Sequence, residues 1–401
     1  MIKALSTTWR RKRLIGLLAA TLLTLTTTAT QVMAQAMGQA MSQTVMPTPG
    51  APELAARSYV LLDSGTGQII VERDADRPVP PASITKLMTA YLVFQALESG
   101  DISLDDEVTV SEKAWRMGGS RMFIEVGNKV TVEQLLQGMI VQSGNDAATA
   151  LAEYVGGNES SFVAQMNATA QRLGLEQTHF ENPTGWPADG HAMSAADIAT
   201  LLTRLIREFP ELYKFFRQQS FTYNGIKQFN REKLLFRNDW VDGGKTGHTE
   251  EAGYCLATSG AREGMRLVAV VLGADSDEAR NNQAEALLNY GFRFFETVDV
   301  RPGGETLATP RVYKGQTDQT PVGLRQDLSV LVPKSRRDEL TVSLRLDPEL
   351  VAPVHEGDTL GQLMVRLGDE PLVERPVVAL ADNPEGGIVK RLTDSFWMWW
   401  E

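Results

Sequence analysis

The chain has 401 residues, 43% hydrophobic and 22% charged, enough for two domains with a core each. Its net charge is −11 and no basic stripe interrupts the acidic balance, which excludes a protein built to bind nucleic acid by counterion release. Cys255 is the only cysteine and the four histidines show no i, i+4 pairing, so neither a disulfide nor a thiolate or zinc site is expected, and no cofactor.

The N-terminus carries an export address. A basic patch, Arg10-Arg11-Lys12-Arg13, precedes an apolar run from Leu14 to Leu25, and small residues then offer cleavage after Ala34 or Ala36. Residues 1–36 read as a secretory signal peptide, since the apolar run falls short of the roughly 20 residues a membrane span needs. Losing them removes five basic residues and leaves a mature net charge of −16. Residues 37–51, rich in Met, Gln, Thr and Pro, read as a disordered linker.

From residue 52 the pattern becomes globular. "ARSYVLLD" and "QIIVER" form a predicted β-hairpin through Ser64-Gly65-Thr66-Gly67. A helix follows in "PASITKLMTAY", with Ile84, Leu87, Met88, Tyr91 and Leu92 on one stripe. Further helices are predicted near 131–141, 146–155, 161–173 and 194–207. Two strands, "GYCLATSG" and "MRLVAVVLGA", then precede a helix in "NQAEALLNYGFRFFET". Strands from both ends around a helical body predict an α+β fold over 52–297, with an antiparallel sheet. Residues 298–384 change to short β-rich segments and predict a small all-β domain. Residues 385–401 end in "FWMWWE". On a helix, Ile388, Leu392, Phe396, Trp399 and Trp400 share a face opposite Lys390, Asp394 and Glu401, which suits a membrane surface.

Three short motifs carry the chemistry. Ser83 and Lys86 stand three apart at a predicted helix start, so a hydroxyl and an amine share one helix face. A serine hydroxyl needs a base beside it, and a lysine buried near other cations is partly neutral. Ser83 is therefore the predicted nucleophile and Lys86 its base, although an N-cap serine would stand at the same place. Ser143-Gly144-Asn145 falls in a break between helices. The Ser143 hydroxyl is expected to relay a proton to the leaving amine and Asn145 to bind the substrate backbone, with Asp146 suited to cap the next helix. Lys245-Thr246-Gly247 is expected on a sheet edge, Thr246 meeting the substrate carboxylate and Gly247 letting a peptide lie alongside as an added strand. S-x-x-K, S-G-N and K-T-G in this order form the signature of penicillin-interacting serine acyltransferases.

"QSGNDAATALAEYVGG", "HFENPTGWPADGH" and "DGGKTGHTEEAGY", with these motifs, resemble the low-molecular-mass penicillin-binding proteins that act as D-alanyl-D-alanine carboxypeptidases. The likeness spans nearly the whole mature chain. It implies a β-lactamase-like catalytic fold, a sandwich-like second domain and removal of the terminal D-alanine from peptidoglycan stem pentapeptides. It also implies covalent binding of β-lactams and a periplasmic protein attached to the outer face of the cytoplasmic membrane through its last helix. It places the oxyanion hole at the backbone amides of Ser83 and His248, leaves the His248 side chain a role of its own, and puts Arg237 and Arg280 near the site, where arginine suits a free carboxylate. Two enzymes on the same fold are the alternatives: a D,D-endopeptidase, and a serine β-lactamase, for which Glu181 is the available second base. The oligomeric state, a homo-oligomer included, stays open.

Overall fold

The computed structural model describes residues 48–400, so the predicted signal peptide 1–36, most of the predicted linker 37–51 and Glu401 lie outside the described residues. Pro49, near the linker's end, accepts a hydrogen bond from the Tyr290 hydroxyl (2.8 Å).

The predicted hairpin forms from β1 (Ser58–Asp63) and β2 (Ile69–Arg73). A 3-10 turn, Ala82–Thr85, runs into α1 (Lys86–Glu98). The periodicity predicted one buried stripe here, but every residue from Lys86 to Phe94 is buried. Through Phe94 the helix runs inside the domain, packed by the later helices on several sides, and only its last turn, with Gln95 and Glu98, reaches water. Beyond it lie β3 (Glu107–Thr109), α2 (Glu112–Arg116) and β4 (Lys129–Thr131), then α3 (Val132–Val141), α4 (Asn145–Gly156), α5 (Glu159–Leu173) and α6 (Ala195–Glu208). Side chains set four of these starts: Ser111, Thr131, Asn158 and Ser194 each accept from the backbone N–H three residues on.

A small hairpin, β5 (Ser220–Tyr223) with β6 (Ile226–Phe229), and the short α7 (Leu234–Arg237) lead into β7 (Val241–Thr249), β8 (Gly253–Arg262) and β9 (Met265–Ala274). The main sheet is antiparallel in the order β2-β1-β9-β8-β7, with Val60 opposite Val270 and Lys245 opposite Ala257. Both ends of the domain thus share one sheet, and β7 is its edge. One face packs on the helical body, the other on α8 (Asp277–Phe294). That helix starts earlier than its apolar run suggests, because Ser276 caps it by accepting from Ala279 N–H (3.0 Å).

The chain leaves α8 straight into β10 (Phe295–Arg301), which pairs with β12 (Leu328–Pro333). The second sheet joins β11 (Val322–Gly323), β13 (Leu340–Leu346), β14 (Thr359–Leu367) and β15 (Glu370–Ala379) in the order β11-β15-β14-β13, over a core that includes Val312, Val332 and Val365. The final helix, α9 (Ile388–Trp400), reverses the usual arrangement. Its carboxylate Asp394 is buried and accepts from Lys314 N–H (2.6 Å) and from Lys390, while Ile388, Val389, Leu392 and Trp399 are two-thirds or more exposed. Among the described residues no helix is long and apolar enough to cross a membrane.

Candidate active site

Ser83 sits in the 3-10 turn before α1 and caps nothing: the side chain at neither helix start makes a capping bond. Its Oγ accepts from Lys86 Nζ at 3.0 Å. Two further acceptors hold that amine, Asn145 Oδ1 (2.6 Å) and the Thr184 carbonyl (2.6 Å). Lys86 is fully enclosed, and burial outweighs the attraction of Asp146 to bring its pKa from 10.5 down to about 7, with Arg231 pushing the same way. A turn that places an amine beside a hydroxyl, where water no longer solvates the cation, makes a base that works at neutral pH.

Ser143 stands between α3 and α4 with φ of +65°, a left-handed conformation that costs a non-glycine residue about 1–2 kcal/mol. Its Oγ accepts from Lys245 Nζ at 2.9 Å. Lys245 also donates to the Thr246 carbonyl and is held well below its ordinary pKa by burial, with Lys86 the next cause. Two serine–lysine pairs therefore lie close enough for one lysine to act on the other, and Asn145 braces the first: its Oδ1 accepts from Lys86 Nζ and its Nδ2 donates to Gly118 O (2.8 Å). Asp146 does not act as the helix cap. Gly144 is the N-cap, and the Asp146 carboxylate accepts from the backbone N–H groups of Met122 (3.0 Å) and Phe123 (2.9 Å), fixing the loop behind the site.

β7 lies against the Ser83 turn so closely that a Cβ on Gly247 would stand 2.8 Å from Pro81 O, a contact only glycine avoids. The same closeness occurs from the opposite side, where a Cβ on Gly185 (φ +80°) would stand 1.8 Å from Ala82 O. The loop that carries Gly185 also carries His191, whose Nδ1 accepts from Glu181 N–H (3.2 Å). Its Nε2 therefore holds the proton and donates to Thr85 Oγ1 (2.8 Å), which donates in turn to Ala82 O (2.9 Å). Burial lowers the His191 pKa to about 4, so this brace is neutral at ordinary pH.

The predicted basic residues divide. Arg280 is buried behind β7, where Nη1 donates to the Gly247 (3.0 Å) and Cys255 (3.3 Å) carbonyls and Nη2 pairs with Asp277. Nη1 is engaged by the strands and Nη2 by Asp277, so Arg280 positions Gly247 instead of offering a free fork to substrate. Arg237 donates to Asn282 Oδ1 (3.0 Å) and faces Glu285 on α8, and its side chain has no hydrogen bond or ion pair to either serine–lysine pair among the described residues. The His248 ring is exposed and packs at a tilt on Tyr254, 4.0 Å between centroids. Glu181 is paired with His179 (3.0 Å).

Arg231 was not legible in the motifs. It is exposed, donates Nε to Gln142 O (2.9 Å), and its charge bears on both Lys86 and Lys245. Buried Glu232 beside it donates nothing while ionised, yet its pKa is raised to about 8 by burial, which keeps it protonated under β7. Among the described residues no group of three or more His, Cys, Asp or Glu side chains is arranged to hold a metal.

A sheet-edge K-T-G strand, an S-x-x-K turn and an S-G-N break brought together at two serine–lysine pairs define a penicillin-recognising serine acyl-transfer enzyme. Residues 45–276 match the D-alanyl-D-alanine carboxypeptidase family, and residues 295–385 match the family described as penicillin-binding protein 5, C-terminal domain. The chain is 41% identical over 352 residues to D-alanyl-D-alanine carboxypeptidase DacC of Escherichia coli K12 (86% of this chain, 88% of that protein), and 38% identical over 354 residues to DacA of the same strain (86% and 88%). Penicillin-binding protein 5 of Haemophilus influenzae superposes with a TM-score of 0.81 at 37% identity, covering 84% of this chain and all of that one. The chain belongs to the D-alanyl-D-alanine carboxypeptidase family of serine peptidases and has that hydrolytic activity.

Proposed function

We propose that Ser83 is the nucleophile and Lys86 the base in both halves of a two-step hydrolysis. The observation that carries this is the 3.0 Å Lys86–Ser83 contact at an amine whose pKa is about 7. Lys86 takes the hydroxyl proton as Ser83 Oγ attacks the carbonyl of the penultimate D-alanine. The backbone amides of Ser83 and His248 meet the oxyanion, the second of them on the strand that touches the Ser83 turn at Gly247. As the C–N bond breaks, Ser143, paired with Lys245, hands a proton to the leaving D-alanine amine. Water then attacks the acyl-enzyme with Lys86 again as base, and the shortened peptide leaves. Asn145 holds the peptide backbone, and Thr246 with Arg231 takes the terminal carboxylate. A β-lactam enters the same cycle and stalls as the acyl-enzyme.

The chain is exported after cleavage at residue 34 or 36 and works in the periplasm, with catalytic residues 52–297, an all-β unit 298–384 and an anchor 385–401. The apolar face of α9, turned outward by the Asp394 clamp, rests on the outer surface of the cytoplasmic membrane. Self-association through that face is the alternative occupant, and sedimentation with and without vesicles tells the two apart. The test of the catalytic roles is a fluorescent penicillin with a pentapeptide assay on the wild type and Ser83→Ala. Persistent label on Ser83 with serine-dependent D-alanine release supports the reading. Fast penicillin turnover without D-alanine release would mean a β-lactamase, and cleavage of cross-linked peptides alone an endopeptidase.

A further inference from the structure

A second site lies away from the serine, where the two folded units meet. A cleft of about 930 Å³ opens between the β1–β2 turn, the end of α6 and the segments of the β-domain near β12 and β15. Four arginines line it, Arg207, Arg266, Arg325 and Arg375, in a chain whose overall charge is strongly negative. Arg266 is neutralised by Asp242. The other three have no carboxylate partner among the described residues: Arg325 donates to Gly357 O (2.7 Å), Arg375 to the Glu374 carbonyl (3.2 Å), and Arg207 to no protein group. The one carboxylate on the wall, Asp327, accepts from Gly303 N–H (2.8 Å).

A cation in the last turn of α6 explains Arg207 by itself, since it favours the helix dipole. It does not explain why guanidiniums from three separate segments converge on one concavity. Like charges gathered without partners are mutually repelling, and an anion that bridges them relieves this. Arginine forks match phosphate oxygens two at a time, and the cleft's volume is that of a small-ligand site. Apolar Ile206, Leu324 and Pro376 beside the arginines leave room for an organic body.

We propose that this cleft binds a diphosphate group, carried by a sugar or a lipid, with Arg207, Arg325 and Arg375 as its ligands. Three guanidiniums answer the two to three negative charges of a diphosphate, and a bound group would tie the catalytic unit to the β-domain. The site is separate from the serine chemistry, so it stands whether or not the roles given to Ser83 and Lys86 do.

The test is calorimetric titration of the purified protein with sodium pyrophosphate at low and physiological salt. Arg325→Ala and Arg375→Ala should each weaken binding roughly 10-fold to 100-fold, the loss expected for a charged hydrogen-bond pair. Arg325→Lys should recover part of it, and penicillin labelling should stay unchanged in all of them. Arg237→Ala, an exposed arginine elsewhere, should bind like the wild type. No binding of pyrophosphate, equal weakening in Arg237→Ala, or equally tight binding of citrate would overturn the proposal. Phosphatidylcholine vesicles with and without farnesyl diphosphate identify the source. If Arg325→Ala loses the extra vesicle binding, the diphosphate is a lipid's; if only pyrophosphate binding changes, the ligand is soluble.

Discussion

Lys86 sits fully enclosed, and its fall from 10.5 to about 7 corresponds to about 5 kcal/mol against the charged form. At pH 5 only about 1% of an amine with that pKa is neutral, and at pH 7 about half is. The second-order rate of acylation by a fluorescent penicillin should therefore climb about tenfold per pH unit from 5 to 6.5, bend near 7 and level off by 8. Acylation is the right step to follow because it needs no deacylation. Lys86→Met should keep a folded protein, lose roughly 10²–10⁴ in rate and show no bend. The sign for stability is opposite to that of an ordinary ion pair. Since the folded state disfavours the proton, the unfolded chain binds more of it between pH 7 and 10.5, and the cost of the buried cation is complete below 7 and gone above 10.5. Lys86→Met should accordingly gain most stability, relative to the wild type, at pH 6 and least at pH 10.5. A rate profile that is flat from 5 to 8, or that bends near 10, would refute a neutral Lys86 as the base.

His191 titrates in the same sense at lower pH. Its folded pKa of about 4 lies below the usual 6.5, so stability should fall as pH drops from 6.5 towards 4, by about 3 kcal/mol in thermal or urea unfolding, and His191→Gln should flatten that loss. Gly185→Ala forces a Cβ into Ala82 O at a left-handed position; it should cost on the order of 3 kcal/mol and abolish penicillin labelling together. Gly247→Ala meets Pro81 O at 2.8 Å and should slow acylation about 10²-fold with a smaller change in melting temperature, since it shifts the edge strand without a forbidden φ. Asp394→Ala unclamps α9 from Lys314 and Lys390; vesicle flotation should weaken less than with Trp397→Ser and Trp399→Ser together, which remove the exposed ring surface itself.

Local chemistry made much of this protein legible. The Ser64–Gly67 turn and the β-rich runs around Cys255 and Val270 each act over a few residues, and the elements they predict are present. The Ser83–Lys86 pair was readable because its geometry is set by a three-residue spacing, whereas Ser143 and Lys245 meet across 102 residues. What distance in sequence hid is the support. His191 reaches Thr85 across 106 residues, and Asp146 pins backbone amides 23 and 24 residues earlier, contacts no periodicity reports. Arg231 sits outside every motif, and Arg237 and Arg280 look alike in sequence although one is buried behind β7 and the other faces α8. In α1 the apolar stripe was real but understated, since Thr89, Ala90 and Val93 are buried as well in the first turns of the helix. In α9 Ile388, Leu392, Phe396 and Trp399 are exposed, while Asp394, placed by the sequence on the polar face, is buried against the protein.

The most direct test of the central claim is mass spectrometry of the protein quenched during turnover of a stem pentapeptide. The account predicts an acyl adduct, with the mass of the substrate less one free D-alanine, on the peptide containing Ser83, with D-alanine released in step and both lost in Ser83→Ala. D-alanine release that continues in Ser83→Ala, or an adduct on another residue such as Ser143, would contradict it.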